Sequence, residues 1–191
     1  MLWVLHKPAN VDTDLAPGSD LRRLSDIAIP VRKYHHIGRL DRDTSGVLLL
    51  CTDGQLTHRL MNSSVLVKTY LARVAKPPTT EQLSQLVAGV LLGDGPAFAD
   101  SACEVPEFHE AVSPLFLVPN YQEVLPTNFF VRIETREGRN RIVRRMLAHV
   151  GLPVLGLHRE QVGSVSLSPA SIPGTIDELA SPDLEKLLLE V

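Results

Sequence analysis

The segment Gly38-Arg39-Leu40-Asp41-Arg42-Asp43-Thr44-Ser45-Gly46 sets a carboxylate between arginines on a loop bounded by glycines, and it feeds at once into the apolar run Val47-Leu48-Leu49-Leu50-Cys51. A loop anchored on a buried strand can hold one reactive group rigidly over a cleft. Asp41 is therefore the candidate nucleophile. A second concentration of chemistry lies later in the chain, where Arg136, Arg139, Arg141, Arg144 and Arg145 put five guanidiniums within ten residues. Arginine forks and helix N-termini both suit phosphate. Such a run is also commonly only a solvated helix face, and Glu134 and Glu137 could neutralise part of it. An anion-binding face in the same chain as a lone reactive carboxylate suits an enzyme whose substrate is RNA.

Other chemistries fit these residues less well. A phosphotransfer centre with two aspartates one residue apart needs a strand before them and a threonine two past the second. Here Thr44 is adjacent to Asp43 and the strand comes after. Asp41 and Asp43 as an acid and base pair would suit a hydrolase, but alternate residues on a loop usually point apart. Asp43 and Thr44 are as readily read as hydrogen-bonding the loop backbone. His35, His36, His58, His149 and His158 lack ligand spacing with carboxylates or thiols and read as surface or supporting residues; no metal is assigned. Cys51 and Cys103 give neither a disulfide framework nor a metal site, which fits a reducing compartment.

The elements that must position these groups follow from periodicity. Leu2 to Leu5 reads as a buried strand ended by Lys7-Pro8, and the stretch from Asn10 to Asp26 as loop. After the strand Val47 to Cys51, Asp53-Gly54 offers a helix start with Leu56, Leu60 and Met61 on one face. Lys68 to Val74 alternates like a half-buried strand. Thr79 and Gln82 form a capping box ahead of a helix carrying Leu83, Leu86, Val87 and Val90, which runs to the Gly93-Asp94-Gly95 turn. Four prolines between Pro106 and Pro126 forbid a long helix, so residues 104–127 read as a proline-rich insertion. Asn128 to Glu134 is a further strand. Ile142, Val143, Met146, Leu147 and Val150 form one helix face, closed by Gly151. Ser181 as N-cap and Pro182 at the first helical position open a last helix.

With 191 residues and 44% hydrophobic content, the chain suffices for one compact domain, here residues 1–191. A net charge of −3 excludes bulk electrostatic capture of nucleic acid, so RNA contact must use the local arginine cluster. No apolar run is long enough for a membrane span, and a strand at the N-terminus leaves no room for a targeting peptide unless a leader has been removed.

Gly38 to Gly46, Lys68-Thr69-Tyr70, Glu137-Gly138-Arg139-Asn140-Arg141 through Arg144-Arg145-Met146-Leu147, and Leu155-Gly156-Leu157-His158-Arg159-Glu160 together resemble the RsuA/RluB/RluE/RluF family of pseudouridine synthases, in the family's order and over nearly the whole chain. The resemblance implies a single α/β (α+β) domain with a mixed, largely antiparallel central sheet, flanking helices and a central RNA-binding cleft. It implies isomerisation of particular uridines in RNA, mostly ribosomal RNA, with neither cofactor nor metal. Asp41 would be the catalytic aspartate that attacks the target uridine. Arg39 would lie near the flipped nucleotide, Tyr70 would stack on the target base, and Arg144 would pair with the catalytic carboxylate and keep it ionised. Lys7 and Lys68 occupy motif positions that are structural or phosphate-facing, and Arg139 and Arg141 belong to the RNA-binding set. The expected partner is RNA, with ribosomal assembly factors as candidates and no membrane. The chain is expected to be a cytoplasmic monomer, or organellar if a leader is missing.

The sequence departs from the pattern at Asn10, where a glycine is usual, at Asn62-Ser63-Ser64, where a His-Pro-like step is usual, and at Ile142, where glutamine is common. The small N-terminal RNA-binding domain of many members is absent from this sequence. The rival reading is a catalytically idle RNA-binding assembly factor of the same fold; intact Asp41, Tyr70 and Arg144 favour the enzyme.

Overall fold

A computed structural model of the chain describes residues 1–13, 24, 27, 29–30, 33–105, 129–168 and 170–191. The proline-rich insertion expected at 104–127 lies almost wholly outside the described residues, as does most of the loop expected between Asn10 and Asp26. The architecture is mixed α/β, with a mostly antiparallel sheet and, among the described residues, four helices. The chain forms two compact units, Met1–Leu66 with Arg159–Val191, and Val67–His158.

In the first unit β1 (Leu2–Lys7) pairs antiparallel with β3 (Thr44–Cys51), with Leu2 opposite Cys51 and Lys7 opposite Gly46. All six residues of β1 and all eight of β3 are buried, which is why β3 reads as a continuous apolar run rather than an alternation. The strand begins at Thr44, three residues before the apolar run, because the loop joins the ladder as soon as it turns away from Asp41. The short β2 (His35–Ile37) also pairs with β3. Helix α1 (Gly54–Met61) starts where expected: the Asp53 carboxylate accepts from the amides of Gln55 and Leu56. Leu60 packs into the core with Val47, Leu49 and Cys51, whereas Met61, expected on the same face, is exposed. Strand β11 (Ile176–Glu178) pairs with the other edge of β1. Helix α4 (Ser181–Leu189) closes the core with Leu187, but its N-cap is Ala180, without a side-chain cap bond; Ser181 is the first helical residue.

In the second unit β4 (Lys68–Val74), β8 (Phe129–Thr135) and β7 (Ser101–Val105) form consecutive antiparallel pairs. The capping box of Thr79 and Gln82 is present at the start of α2 (Thr80–Ala88). The helix ends earlier than its apolar spacing suggests. Gly89 at φ 105° leaves the helical region, and Val90 instead opens a hairpin of β5 (Val90–Leu92) and β6 (Gly95–Ala97), whose turn is Gly93-Asp94. Helix α3 (Ile142–His149) buries Ile142, Val143, Met146 and Leu147 as expected. Strand β9 (Val154–Val162) pairs with β10 (Val165–Ser166).

Candidate active site

Asp41 sits on the turn that delivers the chain into β3, closed by the amide of Thr44 donating to the Asp41 carbonyl at 3.0 Å. The end of β1 and the segment after it grip the backbone of this turn from Leu40 to Thr44. The Lys7 ammonium donates to the carbonyls of Thr44 at 2.9 Å, Asp41 at 3.3 Å and Arg42 at 3.4 Å, and to Pro8 at 2.9 Å. Asn10 donates its amide to the Arg42 carbonyl at 2.7 Å, and the buried Thr13 hydroxyl donates to the Leu40 carbonyl at 2.7 Å. Every one of these bonds goes to main chain, so they fix where the Asp41 side chain starts without consuming its carboxylate.

Lys7 is fully buried. Its ammonium is engaged by four backbone carbonyls. Desolvation lowers its pKa to about 8, opposed by the charges of Asp12, Asp43 and Asp41 and reinforced by Arg159. A lysine that follows an apolar strand does not announce burial, because four carbonyl acceptors can only converge on it through tertiary structure.

Asn10 explains its own departure from the family pattern. It adopts φ 64°, a conformation open to glycine and tolerated by asparagine, so the position keeps its backbone shape without glycine. Gly46 is required more strictly. At φ 115° a Cβ there would lie 2.2 Å from the Arg159 carbonyl oxygen, so β3 and the buried Arg159 approach closer than any side chain allows. The Arg159 guanidinium donates through Nε to the Val47 carbonyl at 2.8 Å, bracing β3 directly after the Asp41 loop. His158, read as a surface or supporting residue, is buried next to it in sequence.

Arg39 is exposed, two residues before the half-buried Asp41. The second unit holds the remaining candidates. Tyr70 is 8% exposed on β4, and the neighbouring Lys68 donates to the Arg136 carbonyl at 2.9 Å. Arg144 is half-buried on α3 and donates to the Val154 carbonyl at 3.5 Å. Arg141 takes the N-cap position of α3 at φ 49°, an uncommon conformation for a side chain of its size. Arg139 is more committed to the protein than an RNA-binding residue needs to be. It donates to both carboxylate oxygens of Glu137, at 2.9 and 3.0 Å, to the Pro96 carbonyl at 2.6 Å and to the Asp94 carboxylate at 3.2 Å. Sequence reasoning missed Asn10, Thr13 and Arg159 as supports of the loop, and Asp94 as a partner of the arginine cluster.

The family model described as RNA pseudouridylate synthase matches residues 1–149. An uncharacterized RNA pseudouridine synthase of Mycobacterium tuberculosis is 41% identical over 157 residues, covering 82% of this chain and 55% of the relative. The chain thus spans about half the length of that protein. A protein of Xanthomonas campestris named ribosomal large subunit pseudouridine synthase E is 38% identical over 171 residues, covering 88% of this chain and 90% of the relative. A crystal structure of a pseudouridylate synthase matches with a TM-score of 0.75 and 29% identity, over 97% of this chain and 73% of that one.

Proposed function

The chain belongs to the RNA pseudouridylate synthase family, and we propose that it isomerises uridine to pseudouridine in RNA with Asp41 as its catalytic nucleophile. The observation that carries the proposal is the anchoring of the Asp41 turn. Lys7, Asn10 and Thr13 hold the carbonyls of Leu40, Asp41, Arg42 and Thr44, so the backbone on both sides of the Asp41 side chain is fixed. A nucleophile fixed through its main chain does not have to be ordered in the transition state.

In the reaction, the target nucleotide leaves its stack so that the bond between ribose C1′ and uracil N1 becomes accessible. Asp41 attacks the nucleotide, that bond breaks, the base turns in the site, C5 bonds to C1′, and the bond to Asp41 breaks to return its carboxylate. The C5 hydrogen leaves as a proton and N1 regains one, so the product is an isomer and no redox partner is needed. Tyr70 offers an aromatic face to the base and Arg39 a guanidinium to the flipped nucleotide. Arg144 is the basic residue that the family resemblance assigns to the reaction.

The substrate we infer is large-subunit ribosomal RNA, on the strength of relatives named ribosomal large subunit pseudouridine synthase E. The test is to incubate an unmodified large-subunit RNA transcript with the protein, treat it with carbodiimide, and map adducts by primer extension. One or a few new stops are expected. A transcript that gains none, while binding the protein in a salt-sensitive manner, would favour the idle assembly factor.

A further inference from the structure

We propose that Asp94, in the turn of the β5–β6 hairpin and outside the motifs that carry the family resemblance, is a positioning residue that sets the start of α3 and so places Arg144 for the reaction. The proposal rests on the uridine-isomerase reading.

Helix α3 begins without a side-chain cap, and Arg141 at its N-cap is held at φ 49°. A non-glycine residue persists in that region only where its surroundings over-determine it. Asp94 supplies the surroundings. Arg145, in the first turn of α3, grips the Asp94 carboxylate with both terminal nitrogens, through Nη1 to Oδ2 at 3.0 Å and through Nη2 to Oδ1, while the same Nη1 donates to the Asn140 carbonyl at 3.2 Å. Arg139 reaches the same turn from the loop before the helix, at the Asp94 carboxylate and carbonyl and the Gly95 and Pro96 carbonyls. One carboxylate therefore ties together the residues on both sides of Arg141.

The hairpin is a firm abutment. The chain just past β6 is bonded to α2 through the Ala99 amide and the Leu86 carbonyl at 2.9 Å, and to β8 through the Thr135 hydroxyl and the Phe98 carbonyl at 3.0 Å. An isolated surface ion pair contributes little, but a forked arginine pair within a network is the exception. Both arginines draw the Asp94 carboxyl below its usual range, Arg145 by hydrogen bonding foremost. Because Arg144 adjoins Arg145, any slip of the first turn of α3 is a slip of Arg144.

The competing role for Asp94 is to mask Arg139 and Arg145 from RNA phosphates, and kinetics separate the two. Tritium release from large-subunit RNA transcribed with 5-tritiated uridine is measured for wild type, Asp94→Ala, Arg145→Ala and the double variant, with amide hydrogen exchange on each. Positioning predicts that kcat falls about tenfold in each single variant with KM within about twofold, and that the double variant is no worse than the poorer single one. Exchange should quicken at residues 139–146 and nowhere else. A lower KM with kcat unchanged would overturn the proposal in favour of masking, and so would unchanged exchange at 139–146. A wild type that releases no tritium would instead fail the isomerase reading, and the exchange comparison would still decide whether Asp94 sets the start of α3.

Discussion

The Lys7 ammonium donates to the backbone carbonyl of Asp41 at 3.3 Å, so the end of the first strand holds the candidate nucleophile by its main chain. The same ammonium bonds Arg42 and Thr44, and the Asp41 turn is thereby built around one buried positive charge.

Replacing Lys7 by Met removes that hold. Tritium-release kinetics should show kcat falling about tenfold with KM little changed, since the lost interaction orders the turn rather than binding RNA.

Lys7 also gives a dependence of stability on pH whose sign is fixed. Its folded pKa of about 8 lies below the ordinary 10.5. Below pH 8 the group is charged in both states and its desolvation is a standing cost. From pH 8 to 10.5 the folded chain has released the proton that the unfolded chain still binds, so stability rises with pH across that window. The gain is about 3 kcal/mol at most. Urea unfolding at pH 7.5 and pH 10 should show wild type gaining relative to Lys7→Met.

Asn10 at φ 64° predicts an order among its variants. Asn10→Gly should stay within about 0.5 kcal/mol of wild type, and Asn10→Ala should lose about 1 kcal/mol, because only alanine is sterically penalised there without a polar side chain to compensate. Urea unfolding midpoints measure both.

Gly46→Ala should be far more damaging. Its Cβ would meet main chain, which cannot swing aside as a side chain can. A loss of at least about 3 kcal/mol is expected from overpacking and the positive φ together, measured as a fall in the unfolding midpoint.

Much of this organisation was legible in the residues. Strands β1 and β3 show as apolar runs, α3 shows through its spacing and Gly151, and Asp53 and the Thr79–Gln82 box mark the starts of α1 and α2. These signals are local, and local sequence can carry them. The α2 boundary was not legible, since Leu86, Val87 and Val90 keep helical spacing across Gly89 and only the backbone reveals the break. The hairpin β5–β6 escaped for the same reason. Asp41 and the arginines stood out through their spacing, and Tyr70 through the family resemblance. Lys7 stood out only as a motif position, and Asn10 and Thr13 not as supports at all, because all three act on carbonyls some thirty residues away, and a carbonyl belongs to every residue alike. The bonds of Arg139 to Asp94 and Pro96 were not legible, because those partners are distant in sequence.

The most direct test of Asp41 as the centre of a uridine isomerase is tritium release from large-subunit ribosomal RNA transcribed with 5-tritiated uridine, comparing wild type with Asp41→Ala. The account predicts release by the wild type that approaches one tritium per modified site, and none above background by a variant that still folds and binds the RNA. Release by Asp41→Ala at the wild-type rate would contradict it.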